Sequence, residues 1–520
     1  MDYLKISKAT DLTGTDRKWY RALEILPGFL SWGTLIGLVV LSYFFPVATA
    51  VFVILFDVYW LLLVAFLGIH LLVSYRVMRR RLGIDWAQEC EALGVRALEC
   101  KDRKIEATWR DLKQVIILPT YNESLDVIRP SLDAIAHSGY PLENMIIVLA
   151  TEERAGEEGR ERARAIEAEY ASRFGDFIVT VHPDNIEGEL KGKGANQAWA
   201  AKDLKQRVID PKQIDYGLIL VSVFDIDTVV SPGYFHCLSH SFLTLERPYN
   251  ASYQPVPFYQ NNLWEAPFFA RVAAFSNTFW QMMQQIKPDK LATYSSHSMT
   301  WQALVDIGFW STNMVSEDSR IFWHCFCYYK GEYHVEPLYF PVSMDICMDK
   351  NQWWTAKSLY RQQRRWGWGA ENIPYLIFNT AKQWPTLKHK RTFLTHIGIQ
   401  IYGFHSWATN ALITSVVGWL PLLVGGDRFN ATVLSSNLPG VTRWLMTMAM
   451  VGMVVSAVIS VMILPKAKRA SIVQYGITVL QWVVSPIVIV IFGAFPGIEA
   501  QTRLMFGKYM GFWVTPKHRK

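Results

Sequence analysis

Long apolar segments at both ends of the chain constrain its fold more than any other feature of the sequence. Near the start, residues 26–45 and 47–73 form two apolar stretches separated by Pro46. At 1.5 Å per residue, each stretch is long enough to cross a hydrocarbon core about 30 Å thick. Lysines and arginines flank the pair on both sides, which predicts a transmembrane hairpin with both ends in the cytoplasm. The first stretch is too long for a removable signal peptide and lacks a small-residue cleavage site.

Three further apolar segments, near residues 393–424, 444–464 and 472–492, follow in the last quarter of the chain. Three crossings would leave the tail outside, whereas its basic residues favour the cytoplasm. A break at Ser485-Pro486 or Pro496-Gly497 would return the last segment to the same side. The sequence leaves this topology open. The basic residues concerned are Lys466, Lys468 and Arg469, predicted in a cytoplasmic loop, and Lys508, Lys517, Arg519 and Lys520 in the tail.

Between these segments the pattern changes to alternating strands and helices. Short apolar runs at residues 114–118, 145–149, 177–181 and 218–224 predict buried strands, and the charged stretch 153–173 predicts a helix. This alternation is typical of an α/β sheet with crossover helices. Residues 351–391 are rich in Trp, Arg, Lys and Gln without a continuous apolar run, which predicts amphipathic helices at the membrane surface.

These changes of pattern divide the chain into four parts. We expect an N-terminal transmembrane hairpin (1–84), a nucleotide-binding domain (85–350), interface helices (351–392) and a C-terminal membrane region with a basic tail (393–520). The net charge of +7 over 520 residues contains no long basic run. It therefore fits a phosphate-bearing ligand and argues against a nucleic-acid partner. The oligomeric state is left open.

The six cysteines all lie in the middle part, where cytoplasmic thiols stay reduced. His324, Cys325 and Cys327 could suggest a metal site. Their neighbours are apolar and aromatic, however, and no second ligand pair occurs at zinc-like spacing. A buried helix is the better interpretation.

Two polar segments follow predicted strands and are candidates for binding a nucleotide. Thr120, Tyr121 and Glu123 follow the first strand, and ligands of open α/β sheets bind beyond the carboxyl ends of strands. Lys193 lies in the run Lys191–Asn196, whose two glycines allow close approach to phosphates before a helix. An ordinary connection and a solvated basic turn explain these segments equally well in isolation.

Asp225 and Asp227 follow the strongly apolar run 218–224. Residues two apart on an extended chain face the same way, so both carboxylates can point into one crevice. Two carboxylates and substrate phosphates are the usual way of holding Mg²⁺ or Mn²⁺. The alternative is a pair of turn aspartates without a ligand.

A second acidic group, Ser316-Glu317-Asp318, precedes the aromatic stretch 321–328. It is either a helix start with acidic first-turn residues or a functional cluster, and both can hold together. Further on, Gln362, Arg365 and Trp366 share one helix face. Arg365 suits a pyrophosphate, and an indole can stack on a sugar ring.

Together these motifs resemble the membrane-embedded family-2 glycosyltransferases, the group of cellulose, chitin and hyaluronan synthases. The shared pattern is D-x-D, a T-E-D-like cluster and Q-x-x-R-W between transmembrane segments. The resemblance implies a GT-A-type, Rossmann-like α/β domain and inverting transfer from a nucleotide sugar, most often a UDP-sugar, to a glycan. The run from Phe512 to Lys517 resembles the ending of many bacterial members, which implies a bacterial inner membrane with the catalytic domain in the cytoplasm.

The resemblance also implies roles for single residues. Asp318 would be the general base, and Asp225 and Asp227 would hold Mg²⁺ or Mn²⁺. Trp366 and Glu317 would contact the acceptor. Donor-binding residues would be Thr120, Tyr121, Glu123, Glu152, Lys193, Asp225, Gln362 and Arg365.

The chain departs from the family pattern at three places. Ser316 replaces a threonine, Glu152 and Glu153 stand where relatives often carry aspartates, and Tyr294–His297 replaces a Gly-rich acceptor loop.

Two other functions are compatible with parts of the sequence. One is transfer of a single sugar to a lipid or polyprenyl phosphate, which does not require the Gln362/Arg365/Trp366 helix. The other is a transporter with a soluble regulatory domain. The apolar segments have no clear buried charge pair and no inverted repeat, which counts against this function.

Overall fold

A computed structural model describes residues 2–464 and 471–517 of the chain. The basic loop predicted at Lys466, Lys468 and Arg469, and the tail residues Arg519 and Lys520, lie outside these residues.

Two long helices confirm the predicted apolar pair. They are α1 (Gly14–Phe44) and α2 (Pro46–Arg81). Pro46 is the first residue of α2, where its missing N–H would have no partner in the helix anyway. Both helices extend beyond their apolar stretches into charged sequence, so polar turns of α1 and α2 pack on the rest of the protein.

The central region contains ten strands within the described residues. They are β1 (Arg96–Cys100), β2 (Arg103–Ala107), β3 (Lys113–Pro119), β4 (Met145–Glu152), β5 (Asp176–His182), β6 (Ile219–Val223), β7 (Val229–Val230), β8 (Ala251–Tyr259), β9 (Ser298–Thr300) and β10 (His334–Met344). The first two form a separate hairpin, and the other eight form one sheet in the order β5-β4-β3-β6-β9-β8-β10-β7.

The four predicted strands form the parallel part of this sheet. β5, β4, β3 and β6 lie side by side, with Ile116 of β3 opposite Ile147 of β4 and Ser222 of β6. Residues of β3, β4 and β6 are almost all buried, because helices cover both faces of a parallel sheet. The α/β fold expected from the sequence is confirmed.

The other half of the sheet is mixed, which the sequence pattern did not indicate. β9 runs antiparallel between β6 and β8, and β10 pairs in parallel with β8. β9 has three residues, and β8 and β10 each contain two prolines. Proline removes a donor from a strand, so short or proline-containing strands carry a weak sequence signal.

Helices cover both faces of the sheet. They are α3 (Trp86–Leu93), α4 (Leu125–Ala136), α5 (Gly156–Tyr170), α6 (Lys193–Leu204), α7 (Tyr234–Thr244), α8 (Phe268–Gln285), α9 (Trp301–Asp306) and α10 (Glu317–Tyr328). The charged helix α5 lies within the range predicted for it. In α10, residues 320–327 are buried, which confirms the buried helix expected around His324. All six cysteines are buried and free, and all lie in the described ranges.

Two helices follow the sheet, α11 (Gln352–Gly367) and α12 (Asn372–Gln383). That both lie at the membrane surface stays a prediction; within the protein, α12 is buried on most sides. Its Phe378 packs against Tyr3, Trp19 and Tyr20 from the N-terminal segment and α1. The polar start of α1 forms this cover, and a pairing so distant in the chain leaves no local pattern.

The last helices are α13 (Lys390–Ser415), α14 (Leu420–Val424), α15 (Gly426–Asn430), α16 (Val433–Met462), α17 (Ile472–Leu480), α18 (Ser485–Ile489) and α19 (Phe495–Met505). Within the described ranges, four helices are long and apolar enough to cross a membrane: α1, α2, α16 and the composite helix Ile472–Met505. A fifth span results if the pair Lys390–Ser415 and Val417–Val424, bent by 43°, counts as one. The composite helix has a short 3₁₀ turn, Gln481–Val484, just before Ser485-Pro486, and a π-helical turn, Val490–Ala494, shortly before Pro496-Gly497.

Both ends of the described chain pack on the sheet region. Arg320 donates a hydrogen bond to the carbonyl oxygen of Ile6, and Tyr375 donates one to that of Leu4. At the other end, Lys517 Nζ lies 2.6 Å from Asp227 Oδ1. Both ends of the described chain therefore lie against the sheet region.

Candidate active site

The carboxyl ends of the parallel strands β3, β4 and β6 meet at one edge of the sheet, where ligands of such sheets bind. At the end of β3, Glu123 accepts hydrogen bonds from Thr120 Oγ1 (2.9 Å) and from the Tyr121 backbone N–H (2.8 Å). Thr120 N–H donates to the carbonyl oxygen of Ala150 at the end of β4. The three residues predicted to bind the donor thus form one ordered loop.

Lys193 joins the two acidic motifs. Its Nζ lies 2.7 Å from Asp225 Oδ1 and 2.9 Å from Asp318 Oδ1. Burial lowers the pKa of Lys193, but Asp225 and Asp318 outweigh this and raise it overall. Burial likewise acts to raise the pKa of Asp225, but Lys193 and Lys517 hold it below its usual range. The structure therefore places a fixed ammonium between the predicted metal ligand and the predicted base.

Lys193 is the first residue of α6, so the helix starts earlier in the run 191–196 than the sequence suggested. A Cβ on Gly194 would lie 3.1 Å from Cβ of Glu317. Glycine here lets the first turn of α6 pack against the acidic cluster. Glu317 itself is 2% exposed, and burial together with Asp318 raises its pKa to about 8. Its contact with an acceptor stays a prediction.

Asp227 lies in the turn after β6 and is 2% exposed. Its Oδ1 pairs with Lys517, and its Oδ2 accepts a hydrogen bond from the Asp345 backbone N–H at 2.8 Å. Burial lowers the pKa of Lys517, but Asp227, Asp225 and Glu123 raise it overall. The last described residue of the tail is therefore the cation that pairs with Asp227, while Lys193 pairs with Asp225.

This donor set fits a divalent ion that binds with substrate phosphates. No group of three or more His, Cys, Asp and Glu side chains gathers anywhere in the described ranges, so the protein would offer few carboxylate ligands. The buried carboxylate of Asp227 requires a positive charge beside it, and the Lys517 ammonium occupies that position. Mg²⁺ typically uses one or two carboxylates and completes its shell with phosphate oxygens and water.

The segment Tyr294–His297 closes the other side of Asp225. Ser295 Oγ donates a hydrogen bond to Asp225 Oδ2, and the Ser296 hydroxyl lies 2.8 Å from that of Thr228. Ser296 has φ 63°, a left-handed conformation that glycine adopts most easily. The backbone thus forms a glycine-like turn at Ser296, and the serine side chains add hydrogen bonds to it.

The side chains of the α11 motif do not all point to the same part of the protein, as the positions of Gln362, Arg365 and Trp366 show. Arg365 lies over the Phe512 ring (4.9 Å) and donates to Thr515 Oγ1 (3.5 Å), so it faces the tail. Trp366 packs against Tyr259 at 6.2 Å between ring centroids. Gln362 and Trp366 line a small, partly open cavity, which is also lined by Tyr259, Ala270, Ala274, Asn277, Ile346, Cys347 and Leu359.

Glu152 ends β4 and is held in place by Arg154, which donates from Nε and Nη2 to its two oxygens. The Arg154 guanidinium also lies 4.3 Å from the centre of the Tyr121 ring. Both residues line a cavity of about 300 Å³ with His182, Pro183, Asp184, Asn185, Ile186, Glu189 and Lys191. Arg154 was not singled out from the sequence, where it is one arginine in a charged stretch.

Glu371 is a second residue that the sequence did not reveal. Its Oε1 accepts hydrogen bonds from the Ser316 backbone N–H (3.1 Å) and Ser316 Oγ (2.6 Å), and its Oε2 accepts one from Trp368 Nε1 (2.9 Å). Burial raises the pKa of Glu371, while Arg320 and these donors oppose the rise. Glu371 thereby fixes the start of α10, which carries Asp318.

We expect Glu371→Gln to lower both stability and turnover. One face of the Gln amide is a donor, so it cannot satisfy both Ser316 and the Trp368 N–H, and a buried group left unpaired costs about 1–3 kcal/mol. Thermal unfolding and kcat measure the effect. In the double variant with Trp368→Phe, the N–H that faces the Gln amide is gone, and part of the lost stability and turnover should return. If neither returns, this role for the Trp368 contact is contradicted.

A profile of the Glycosyl transferase family group 2 matches residues 220–495, more than half of the chain. The chain belongs to glycosyl transferase family group 2. This glycosyltransferase is therefore an enzyme that takes its sugar from a nucleotide sugar. The alternative function as a transporter is rejected. The match includes Asp225, Asp227, Asp318 and the α11 residues, but begins after the loop at Thr120.

Comparison with solved structures gives remote similarities. A mannosyltransferase from Pyrobaculum calidifontis, solved with GDP-Man and Mn²⁺, is 14% identical over 78% of this chain and 98% of its own, with a TM-score of 0.42. S. aureus TarS 1–349, solved with UDP-GlcNAc, is 12% identical over 67% of this chain and 90% of its own, with a TM-score of 0.34. Similarities this remote do not assign a donor or a metal. No curated protein matches the sequence significantly.

Proposed function

We propose that this glycosyltransferase moves a sugar from a nucleoside-diphosphate donor onto a growing glycan, with inversion, at the cytoplasmic face of a bacterial inner membrane. The observation that carries the proposal is the Lys193 ammonium, which bonds to both Asp225 and Asp318. This contact holds Asp225, the donor-side carboxylate, close to Asp318, the proposed base. Single displacement needs both at the same anomeric carbon.

In this mechanism, residues 85–350 together with Arg365 of α11 would bind the donor. The loop at Thr120, Tyr121 and Glu123 would hold the nucleoside, with Glu152 beside it. Lys193 and Arg365 would bind the diphosphate by charge-assisted hydrogen bonds. Asp225 and Asp227 would hold Mg²⁺ or Mn²⁺, which supplies positive charge for the leaving diphosphate.

Asp318 would accept the proton of the attacking hydroxyl. Both its oxygens accept hydrogen bonds from Lys193 at 2.9 and 3.1 Å. Donor phosphates would draw this ammonium away, because they carry more charge than a carboxylate. Asp318 then faces the acceptor only when the donor is bound, which limits hydrolysis of the donor by water.

The acceptor would enter by the cavity of Gln362, Trp366 and Tyr259. An aromatic face binds the C–H surface of a sugar without a fixed hydrogen-bond register, which suits a chain that advances one unit at a time. We favour processive synthesis for this reason, with the apolar helices anchoring the enzyme and passing the product outward.

Purified protein supplied with radiolabelled nucleotide sugars and Mg²⁺ or Mn²⁺ tests the proposal. We expect one donor, a UDP-sugar, to release free nucleoside diphosphate and to label a glycan. Equal release by the Asp318→Asn variant would contradict the site, and label found only in a singly glycosylated lipid would contradict polymer synthesis.

Substitutions on α11 separate the two substrates. Trp366→Ala should shorten or abolish the glycan while nucleotide binding is kept, because the indole lies in the cavity and not on the tail. Arg365→Ala should instead weaken nucleotide binding by about 1.5–3 kcal/mol, the value of a charge-assisted hydrogen bond. Product sizing beside nucleotide titration distinguishes them; a full-length product from the Trp366 variant would exclude its acceptor role.

A further inference from the structure

Arg271 is a buried charge without a partner. It lies in the first turns of α8 and is 9% exposed. Within the described ranges its side chain forms no ion pair or hydrogen bond, and its Nε is fully buried and unsatisfied. Burial lowers its pKa, and no carboxylate acts in the opposite direction. Removing an ion from water without pairing it is costly, so native proteins rarely leave one in this state.

The other buried arginine of the sheet region shows how this protein normally treats such a group. Arg320 is 1% exposed and donates to Asn372 Oδ1 at 2.7 Å and to the Ile6 carbonyl oxygen at 2.9 Å. Its guanidinium also lies 3.8 Å from the centre of the Tyr375 ring. Every part of that cation is therefore compensated, which makes the isolation of Arg271 specific to its location.

That location is the junction of the sheet with the apolar helices. On α8, Arg271 shares a face with Phe275, Thr278 and Met282, which follow at helical spacing. Thr278 Oγ1 donates to the Pro257 carbonyl oxygen of β8. Phe275 packs against Trp482 of the composite helix at 6.5 Å between ring centroids.

Membrane helices contact α8 along its length. Phe269 stacks on Phe492 at 5.5 Å, and Phe279 stacks on Trp482 at 5.6 Å. Leu71 and Met78 of α2 belong to the same apolar cluster as Phe275 and Phe279. The last turn of α2 carries Arg79, Arg80 and Arg81, so this cluster lies near the basic end of the helix, where lipid headgroups are expected.

We infer that Arg271 binds the phosphate of an anionic membrane lipid, whose headgroup compensates the buried guanidinium. The inference uses the proposed membrane location but not the proposed reaction. Basic pockets between membrane helices at the cytoplasmic side are the known setting for such binding. Arg is suited to phosphate because its planar fork donates two parallel hydrogen bonds. The lipid would tie α8, which also lines the Trp366 cavity, to the bilayer.

The test is thermal unfolding of the full chain in nanodiscs of phosphatidylcholine alone or mixed with phosphatidylglycerol. Phosphatidylglycerol should raise the Tm of the wild type by about 2–4 °C. It should leave the Tm of Arg271→Gln unchanged. In phosphatidylcholine alone, Arg271→Gln should be at least as stable as the wild type, because it buries no charge, so a folded variant is expected.

Arg79→Gln is the matched control, since it removes the same charge from an exposed position at the end of α2. It should keep the response of the wild type to phosphatidylglycerol. An equal response of Arg271→Gln, or none in the wild type, would overturn the inference. Inorganic phosphate added to phosphatidylcholine nanodiscs identifies the source of the anion: stabilisation as large as that by phosphatidylglycerol would show a soluble ligand and overturn the lipid assignment.

Discussion

Asp318→Asn is expected to lower kcat by about 10²–10⁴, the range for loss of a general base. The amide has the shape of the carboxylate but cannot accept the proton of the attacking hydroxyl. Binding of the nucleotide should persist, because Asp225 and Lys193 remain. Single-turnover rates and nucleotide titration on the same preparation measure the two effects separately.

Asp203→Asn is the control for this experiment. It removes a carboxylate from the other end of α6, where the carboxylate pairs with Arg207 at 2.9 Å, away from the Lys193 end. Its turnover should stay close to that of the wild type. If Asp318→Asn turns over within a few-fold of this control, Asp318 is not the base.

Lys517→Met is expected to increase the affinity of the donor-free enzyme for Mn²⁺ by about 10- to 100-fold. In the wild type, an ion that reaches Asp227 must first displace the Lys517 ammonium, which lies 2.6 Å away. A hydrogen bond to a charged group contributes about 1.5–3 kcal/mol, and each 1.4 kcal/mol is a factor of ten in affinity. Methionine keeps the length of the side chain and removes the competing charge.

Titration with Mn²⁺, followed by paramagnetic resonance and by thermal unfolding, measures this change. Without the ion, Lys517→Met should be less stable than the wild type, because Asp227 is left buried and unpaired. Lys508→Met is the control, as Lys508 is an exposed lysine of the same tail. Unchanged Mn²⁺ affinity in Lys517→Met would show that the ion does not bind at Asp227.

The contact between Lys517 and Asp227 also predicts an order of events. At present Lys517 supplies the positive charge beside Asp227, and Asp227 supplies the negative charge beside Lys517. A divalent ion and the donor phosphates would supply these two charges instead. Their entry would release Lys517, and with it the segment from Phe512 to Thr515 that packs on Arg365. The tail is therefore placed to respond when the donor binds.

Local patterns in the sequence were sufficient for the parallel half of the sheet and for the apolar helices. Strands β3, β4, β5 and β6 are short apolar runs between turns, which is the signature of strands covered on both faces. The mixed half was not predicted, because prolines and short length weaken the signal of β8, β9 and β10. The burial of helix α12 was not predicted either, since the aromatic residues that cover it come from the start of the chain.

The sequence by itself determined the class of the protein, an α/β domain between apolar segments. It also determined the candidate site residues, Asp225, Asp227, Asp318 and Arg365. Only the tertiary structure decided how these residues combine. Lys193 reaches Asp318 across 125 residues, Lys517 reaches Asp227 across 290, and Glu371 holds the helix start at Ser316 across 55. Hydropathy and turn signals arise within a few residues of each other, whereas a buried ion pair depends on which distant elements the fold packs together.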